Sequence, residues 1–252
     1  MEQQTGALAG VAVVTGGSKG IGRAISLSAA EMGFKVAIFD VLAEAGRKVV
    51  DEIERRGGTA GFWNVDVSNE EQVGRAAQAA AASLGPVSVL VNNAGIYPRG
   101  TALEMSFDNW MRVIRVNLGG AYLCSRAVAP GMLAAGGGVI VNIASGRGLQ
   151  GTPRGSHYAA SKAGIISLTR SLALEWAPHI RVNTVIPGIT DTDQPREDSP
   201  SDEELYSRGK RIPLGRIGQP EDIAKAVCYM ISDKAEYVTG QSLCVNGGAI
   251  MI

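Results

Sequence analysis

Aromatic side chains, histidine and cysteine are scarce in this sequence, and neither sign of charge is in excess. Only 5% of the 252 residues are aromatic while 33 are glycine, so the core must be built from aliphatic side chains in tightly turned α/β layers. Lys plus Arg and Asp plus Glu each total 24, which removes the net field that nucleic acid or an anionic membrane would need. A small molecule is the expected partner. The three cysteines, Cys124, Cys228 and Cys244, are widely spaced in apolar surroundings, with no metal or redox spacing. They read as buried thiols of a reduced compartment. His157 and His179, the only histidines, are given no role and no metal site is expected. No apolar run approaches the roughly 20 residues that cross a bilayer, and MEQQTGALAG lacks a signal-peptide layout, so the expected location is the cytoplasm.

What is present is a rhythm. Short β-branched runs at 11–15, 35–40, 60–66, 87–94, 139–145, 181–188 and 242–248 alternate with alanine-rich stretches of helical length. Several runs are apolar throughout, as strands covered on both faces must be. The expectation is one α/β domain over 1–252, a doubly wound, seven-stranded parallel sheet with helices on both faces. A chain of this length buries roughly 70–75% of its unfolded surface, so neither a metal nor a disulfide is needed. Residues 189–213 break the rhythm with prolines and dense charge, and such a long connection is expected to be a substrate-binding lid.

TGGSKGIG follows the first run and opens the first helix. Gly16, Gly20 and Gly22 permit positive φ and let a pyrophosphate approach the backbone at the positive helix end, with Ser18, Lys19 and Ile21 completing the turn. Asp40 ends the second run, about twenty residues onward, where a carboxylate accepts hydrogen bonds from an adenosine ribose and repels a 2′-phosphate. Lys19 beside the turn is the opposing cue for NADP. The carboxylate is weighted more heavily, and NAD is the expected cofactor.

Tyr158 and Lys162 stand four apart on one helical face, where an ammonium favours the phenolate of its neighbour. Tyr206 and Lys210 repeat the spacing, so the pair alone identifies nothing. Context separates them: Tyr158 follows the apolar run that ends at Ser145, and sheet chemistry gathers at the carboxyl ends of parallel strands. Ser145 can close a turn or polarise a substrate carbonyl.

In order, TGGSKGIG, Asp66, the NNAG of residues 92–95, Asn117 in RVNLGGAY, Ser145, Tyr158 with Lys162, and the IPG of residues 186–188 resemble the single-domain branch of the short-chain dehydrogenase/reductases. The resemblance runs over essentially the whole chain. It implies a Rossmann fold in which Tyr158 is the general acid/base and Ser145 steadies the substrate oxygen. Lys162 would lower the tyrosine pKa and hold the nicotinamide ribose, and Asn117 would position a relay water. By the same resemblance Asp66 and Val67 contact adenine, Asn93, Ala94 and Gly95 line the cofactor, and Pro187, Gly188, Ile189 and Thr192 fold over the nicotinamide. Asn93 and Asn117 read from the residues alone are equally turn formers.

The activity implied is reversible oxidation of a secondary alcohol to a ketone. Two other readings stand beside it: a cofactor-free lyase, which would fill the dinucleotide site, and a non-enzymatic redox sensor, which would lack a catalytic group. Apolar stripes in residues 110–133 and in the helix of Tyr158 suggest subunit packing, and the resemblance implies a homotetramer.

Overall fold

β-Branched runs become strands because their side chains pack well on a pleated surface covered from both sides. The computed structural model describes residues 10–251 except 198 and 200. Residues 1–9, whose lack of a leader pattern pointed to the cytoplasm, lie outside the described residues, as do two positions of the 189–213 segment. Strands β1 (Val11–Thr15), β2 (Lys35–Asp40), β3 (Ala60–Asn64), β4 (Val87–Asn92), β5 (Gly138–Ile143), β6 (Ile180–Pro187) and β7 (Ser242–Val245) form one sheet in the order β3-β2-β1-β4-β5-β6-β7. Every pairing is parallel, so the expected doubly wound fold is observed.

The connections carry α1 (Gly20–Glu31), α2 (Ala43–Arg55), α3 (Glu70–Leu84), α4 (Phe107–Ile114), α5 (Gly120–Ala134), α6 (Arg147–Gln150), α7 (Ser156–Trp176), α8 (Asp193–Glu197), α9 (Asp202–Gly209) and α10 (Pro220–Ile231). A π-helical turn, Arg115–Gly119, joins α4 to α5. Start signals are local: the Asn69 side chain accepts from Gln72 N–H at α3, and α10 opens on Pro220 with a reciprocal cap between Gln219 and Asp222. Alternation within β2 explains its unbroken apolar run. Val36 and Ile38 belong to the core cluster that holds Ile25 of α1, Val49 of α2 and Val227 of α10, while Ala37 and Phe39 belong to the one that holds Ala76 of α3, Val128 of α5 and Leu172 of α7.

A polar seam crosses the second core. Asn92 Nδ2 donates to Asn142 Oδ1 at 2.8 Å, Asn142 Nδ2 to Thr169 Oγ1 at 2.9 Å, and Thr184 Oγ1 to Thr169 Oγ1 at 2.7 Å. Asn142, Thr169 and Thr184 are completely buried, so the seam ties β4, β5, β6 and α7 into one unit. Asn142→Ala removes one hydrogen bond from the Asn92 amide, which keeps Ser125, and one from the Thr169 hydroxyl, which keeps Thr184 and Ile165. Urea unfolding should show a loss of about 1–3 kcal/mol; a loss within error would mean the seam fixes nothing.

Where the strand order reverses, between β1 and β4, the carboxyl ends of the strands diverge and open a crevice. Residues 189–213 are not an open loop: they hold α8 and α9 and contribute Leu205 and Ile212, which pack with Ile217 in a small core of their own. Lys19 Nζ reaches Asp193 Oδ2 at 3.3 Å and ties this segment to the turn after β1.

Candidate active site

The turn after β1 is glycine-dependent in two different ways. Gly16 and Gly20 have φ of +62° and +50°, the left-handed region that L side chains rarely adopt. Gly22 is needed for contact instead, since a Cβ there would overlap the Gly16 carbonyl oxygen and lie 2.6 Å from Asn93 Nδ2. The first turn of α1 contains no acidic residue and its N-cap offers no side-chain hydrogen bond, which leaves its positive end available to an anion. Ser18 Oγ is buried at the same turn with no hydrogen-bond partner among the described residues. At the far side, Asp40 Oδ2 accepts from Ser18 N–H and Oδ1 from Leu42 N–H, both at 3.0 Å. These residues fit a dinucleotide: a backbone cradle for its pyrophosphate, and a fixed carboxylate at the end of β2 for a ribose diol.

The cradle opens into a cavity of about 810 Å³ that also takes in Ser145, Tyr158 and Lys162. The end of β5 delivers Ser145, and one turn of α7 separates the other two. Lys162 Nζ donates to the Ile143 carbonyl at 2.8 Å and lies 5.7 Å from the Tyr158 ring centre. Tyr97 stacks on Tyr158 with ring centres 4.2 Å apart. Arg147 N–H donates to Ser145 Oγ at 3.2 Å.

The electrostatics correct one expectation. Lys162 was expected to make the phenol acidic, but burial is the strongest influence on Tyr158 and raises its pKa; Ser145 and Gln194 oppose it by hydrogen bonding, Tyr97 adds to it, and the charge of Arg147 opposes it. The ammonium itself is weakened, since burial lowers Lys162 to about 8.

Of the expected site residues, Gly16, Lys19, Gly20, Ile21, Gly22, Asp40, Asp66, Val67, Asn93, Ala94, Gly95, Ser145, Tyr158, Lys162, Pro187, Gly188, Ile189 and Thr192 line this one cavity. Ser18 and Asn117 are not among its lining. Asn117 Oδ1 accepts from Ile96 N–H at 2.8 Å, and its Nδ2 donates to the Ile96 carbonyl and to Ser161 Oγ. That amide braces the NNAG loop against α7, so the expected relay water loses its most direct donor. Asn93 Nδ2 likewise bridges the carbonyls of Thr15 and Gly16, and Asp66 N–H is committed to the Gln72 side chain. The second tyrosine/lysine pair lies elsewhere: the Tyr206 hydroxyl donates to Asp191 at 2.8 Å and accepts from Arg196 at 3.1 Å, outside the cavity lining.

A family model described as Enoyl-(Acyl carrier protein) reductase matches residues 16–249. The chain belongs to the short-chain dehydrogenase/reductase family. Within that family it is 41% identical over 240 residues to the 3-oxoacyl-[acyl-carrier-protein] reductase FabG of Chlamydia trachomatis, covering 94% of this chain and 96% of the relative. The FabG of Staphylococcus aureus is 40% identical over 242 residues, with 95% and 98% covered. A solved structure from Beutenbergia cavernae, assigned as an NAD(P) dependent gluconate 5-dehydrogenase with NADP bound at low occupancy, superposes with a TM-score of 0.90 at 41% identity over 96% of this chain and 97% of that one. This short-chain dehydrogenase/reductase is therefore an oxidoreductase with a nicotinamide cofactor. The expected preference for NAD draws no support from these relatives, because the solved neighbour carries NADP.

Sequence reasoning missed part of this family member's cavity wall, where Tyr97, Arg99, Arg147 and Gln194 join the lining. Tyr97 and Arg99 follow the NNAG motif directly and Arg147 stands two residues after Ser145, so adjacency to motifs was the available signal. Among the described residues, no helix is long and apolar enough to cross a membrane.

Proposed function

We propose that the protein interconverts a secondary alcohol and a ketone at Ser145 and Tyr158, with NAD as its dinucleotide. The observation that carries this reading is the convergence of Ser145, Tyr158 and Lys162 with the glycine cradle in one cavity. A nicotinamide, when bound, supplies the hydride acceptor for oxidation and the hydride donor for reduction. Ser145 Oγ, held by the Arg147 N–H, donates to the substrate oxygen and steadies its developing charge. Tyr158 takes the hydroxyl proton during oxidation and returns it during reduction. Lys162 favours the anionic phenol once the proton has moved, and Asn117 positions both by bracing α7 at Ser161. The 189–213 segment acts as a lid, latched by the Lys19 and Asp193 pair. The relatives' names, an oxoacyl reductase and a gluconate 5-dehydrogenase, both describe carbonyl and alcohol chemistry. A panel of secondary alcohols and ketones followed by NADH absorbance tests the reading; dinucleotide binding with no turnover across the panel would favour a sensor.

The choice of NAD rests on Asp40. Its carboxylate is buried and oriented by two backbone N–H groups, so it cannot swing away from a 2′-phosphate. Lys19, the opposing cue, is paired with Asp193. kcat/KM should favour NAD by roughly 10- to 100-fold, as a close like-charge contact implies, and Asp40→Ser should erase most of that ratio. A preference for NADP in the unaltered protein, as the neighbour's ligand suggests, would overturn the assignment.

A homotetramer in the cytoplasm completes the reading. Leu174 of α7 is 84% exposed, and Tyr122 and Leu133 of α5 present further apolar surface. All three thiols are free, as a reducing compartment keeps them.

A further inference from the structure

The two halves of the cavity differ in charge. Its acidic lining is Asp40 and Asp66, on the nucleotide side, and Asp193, which is paired with Lys19. On the side of Tyr158 the lining carries Lys162 and the arginines Arg99 and Arg147. The Arg99 guanidinium lies 5.3 Å from the centre of the Tyr97 ring, which in turn stacks on Tyr158. Arg147 projects from the start of α6, two residues beyond Ser145. Its side chain is exposed and has no hydrogen-bond or ion-pair partner among the described residues. Arg112 lines the same cavity, also without such a partner among the described residues. The cofactor does not need these arginines, because its pyrophosphate is taken by the turn at Gly16 to Gly22. The Arg147 guanidinium, on the cavity lining two residues from Ser145, is placed to meet an anion carried by the substrate.

We infer that the substrate is a free hydroxy acid or oxo acid, whose carboxylate faces Arg147 while its reacting carbon stands at Ser145 and Tyr158. This rests on the alcohol and ketone reading above and names its substrate class. On oxidation the carbinol C–H bond breaks with its electron pair passing to the nicotinamide, the O–H proton passes to Tyr158, and the carboxylate is unchanged. The planar guanidinium fork matches a carboxylate in a way that an ammonium does not. An acyl chain carried on a protein is joined through its carboxyl carbon and brings no free carboxylate to Arg147.

The test is a ladder of oxo acids, with the ketone two to five carbons from the carboxylate, each assayed beside its methyl ester with reduced cofactor. At the preferred length the acid should exceed its ester in kcat/KM by roughly 10- to 100-fold, mostly through KM. Arg147→Gln should collapse that ratio towards one, and Arg147→Lys should restore part of it. Esters turned over as well as acids throughout, or a ratio unmoved in Arg147→Gln, would overturn the inference. Calorimetric titration of the cofactor-saturated protein with the same carboxylates separates the two readings. Binding that weakens in Arg147→Gln without turnover of any acid or ester sinks the alcohol and ketone reading while the anion site stands; binding equal in both proteins sinks the anion site.

Discussion

Tyr158→Phe should lower kcat by about 10³-fold in both directions while leaving cofactor affinity and the unfolding midpoint close to those of the parent. The substitution deletes one oxygen and nothing else. The ring remains buried at 9% exposure and keeps its stack on Tyr97, so packing around α7 is preserved. What disappears is the group that exchanges a proton with the substrate oxygen. The direction of the Tyr158 shift adds a pH signature. Because burial raises the phenol above its ordinary value near 10, the phenolate that oxidation needs is scarce at neutral pH. Oxidation should therefore climb with pH through the neutral and mildly alkaline range, whereas reduction, which needs the protonated phenol, should stay level there. Steady-state rates at saturating substrate, taken in each direction across that range, check both. Turnover near the parent value in Tyr158→Phe, or oxidation flat with pH, would remove Tyr158 from the chemistry.

The sequence and the structure agree wherever a feature is local. β-Branched runs, the glycine turn and the four-residue spacing of Tyr158 and Lys162 each depend on neighbours a few positions away, and each is found where the sequence places it. The second tyrosine and lysine pair shows the limit of spacing. Tyr206 is discarded on environment, and the structure supplies the reason: its hydroxyl is occupied by Asp191 and Arg196. Features set by tertiary contacts were not legible. That Asn117 braces Ile96 and Ser161, that Lys19 reaches across to Asp193, and that Tyr97 stacks on Tyr158 depend on segments far apart in the chain. The sign of the Tyr158 shift belongs with these. A phenol beside a lysine reads as acidic in sequence, but the depth of its burial, a property of the packed fold, decides the direction.

Burial of Lys162 leads to an expectation that runs against ordinary experience with core substitutions: Lys162→Met should abolish turnover and make the protein more stable. The ammonium is buried, with its one hydrogen bond among those described going to the Ile143 carbonyl, and burial lowers its pKa from 10.5 to about 8. At about 1.4 kcal/mol per unit, holding the charge in place at neutral pH costs on the order of 3 kcal/mol of folding free energy. A thioether of similar length carries no such cost, although it leaves the Ile143 carbonyl without that donor, a loss of about 1–2 kcal/mol. The net gain should be on the order of 1–2 kcal/mol at pH 7. Its pH dependence is diagnostic. The folded pKa lies below the unfolded one, so between about 8 and 10.5 the unfolded chain holds the proton that the folded chain has released, and parent stability rises with pH. Below pH 8 the full destabilisation is present. The advantage of Lys162→Met should therefore be largest at neutral pH and shrink towards pH 10.5. Urea unfolding of both proteins at several pH values measures this: a variant less stable than its parent at pH 7 would show that the ammonium is held by contacts strong enough to offset its burial, and one that still turns over would show that the chemistry does not need Lys162. If the gain is found, a charge that weakens the fold is retained at the place where a phenolate must be stabilised during the reaction.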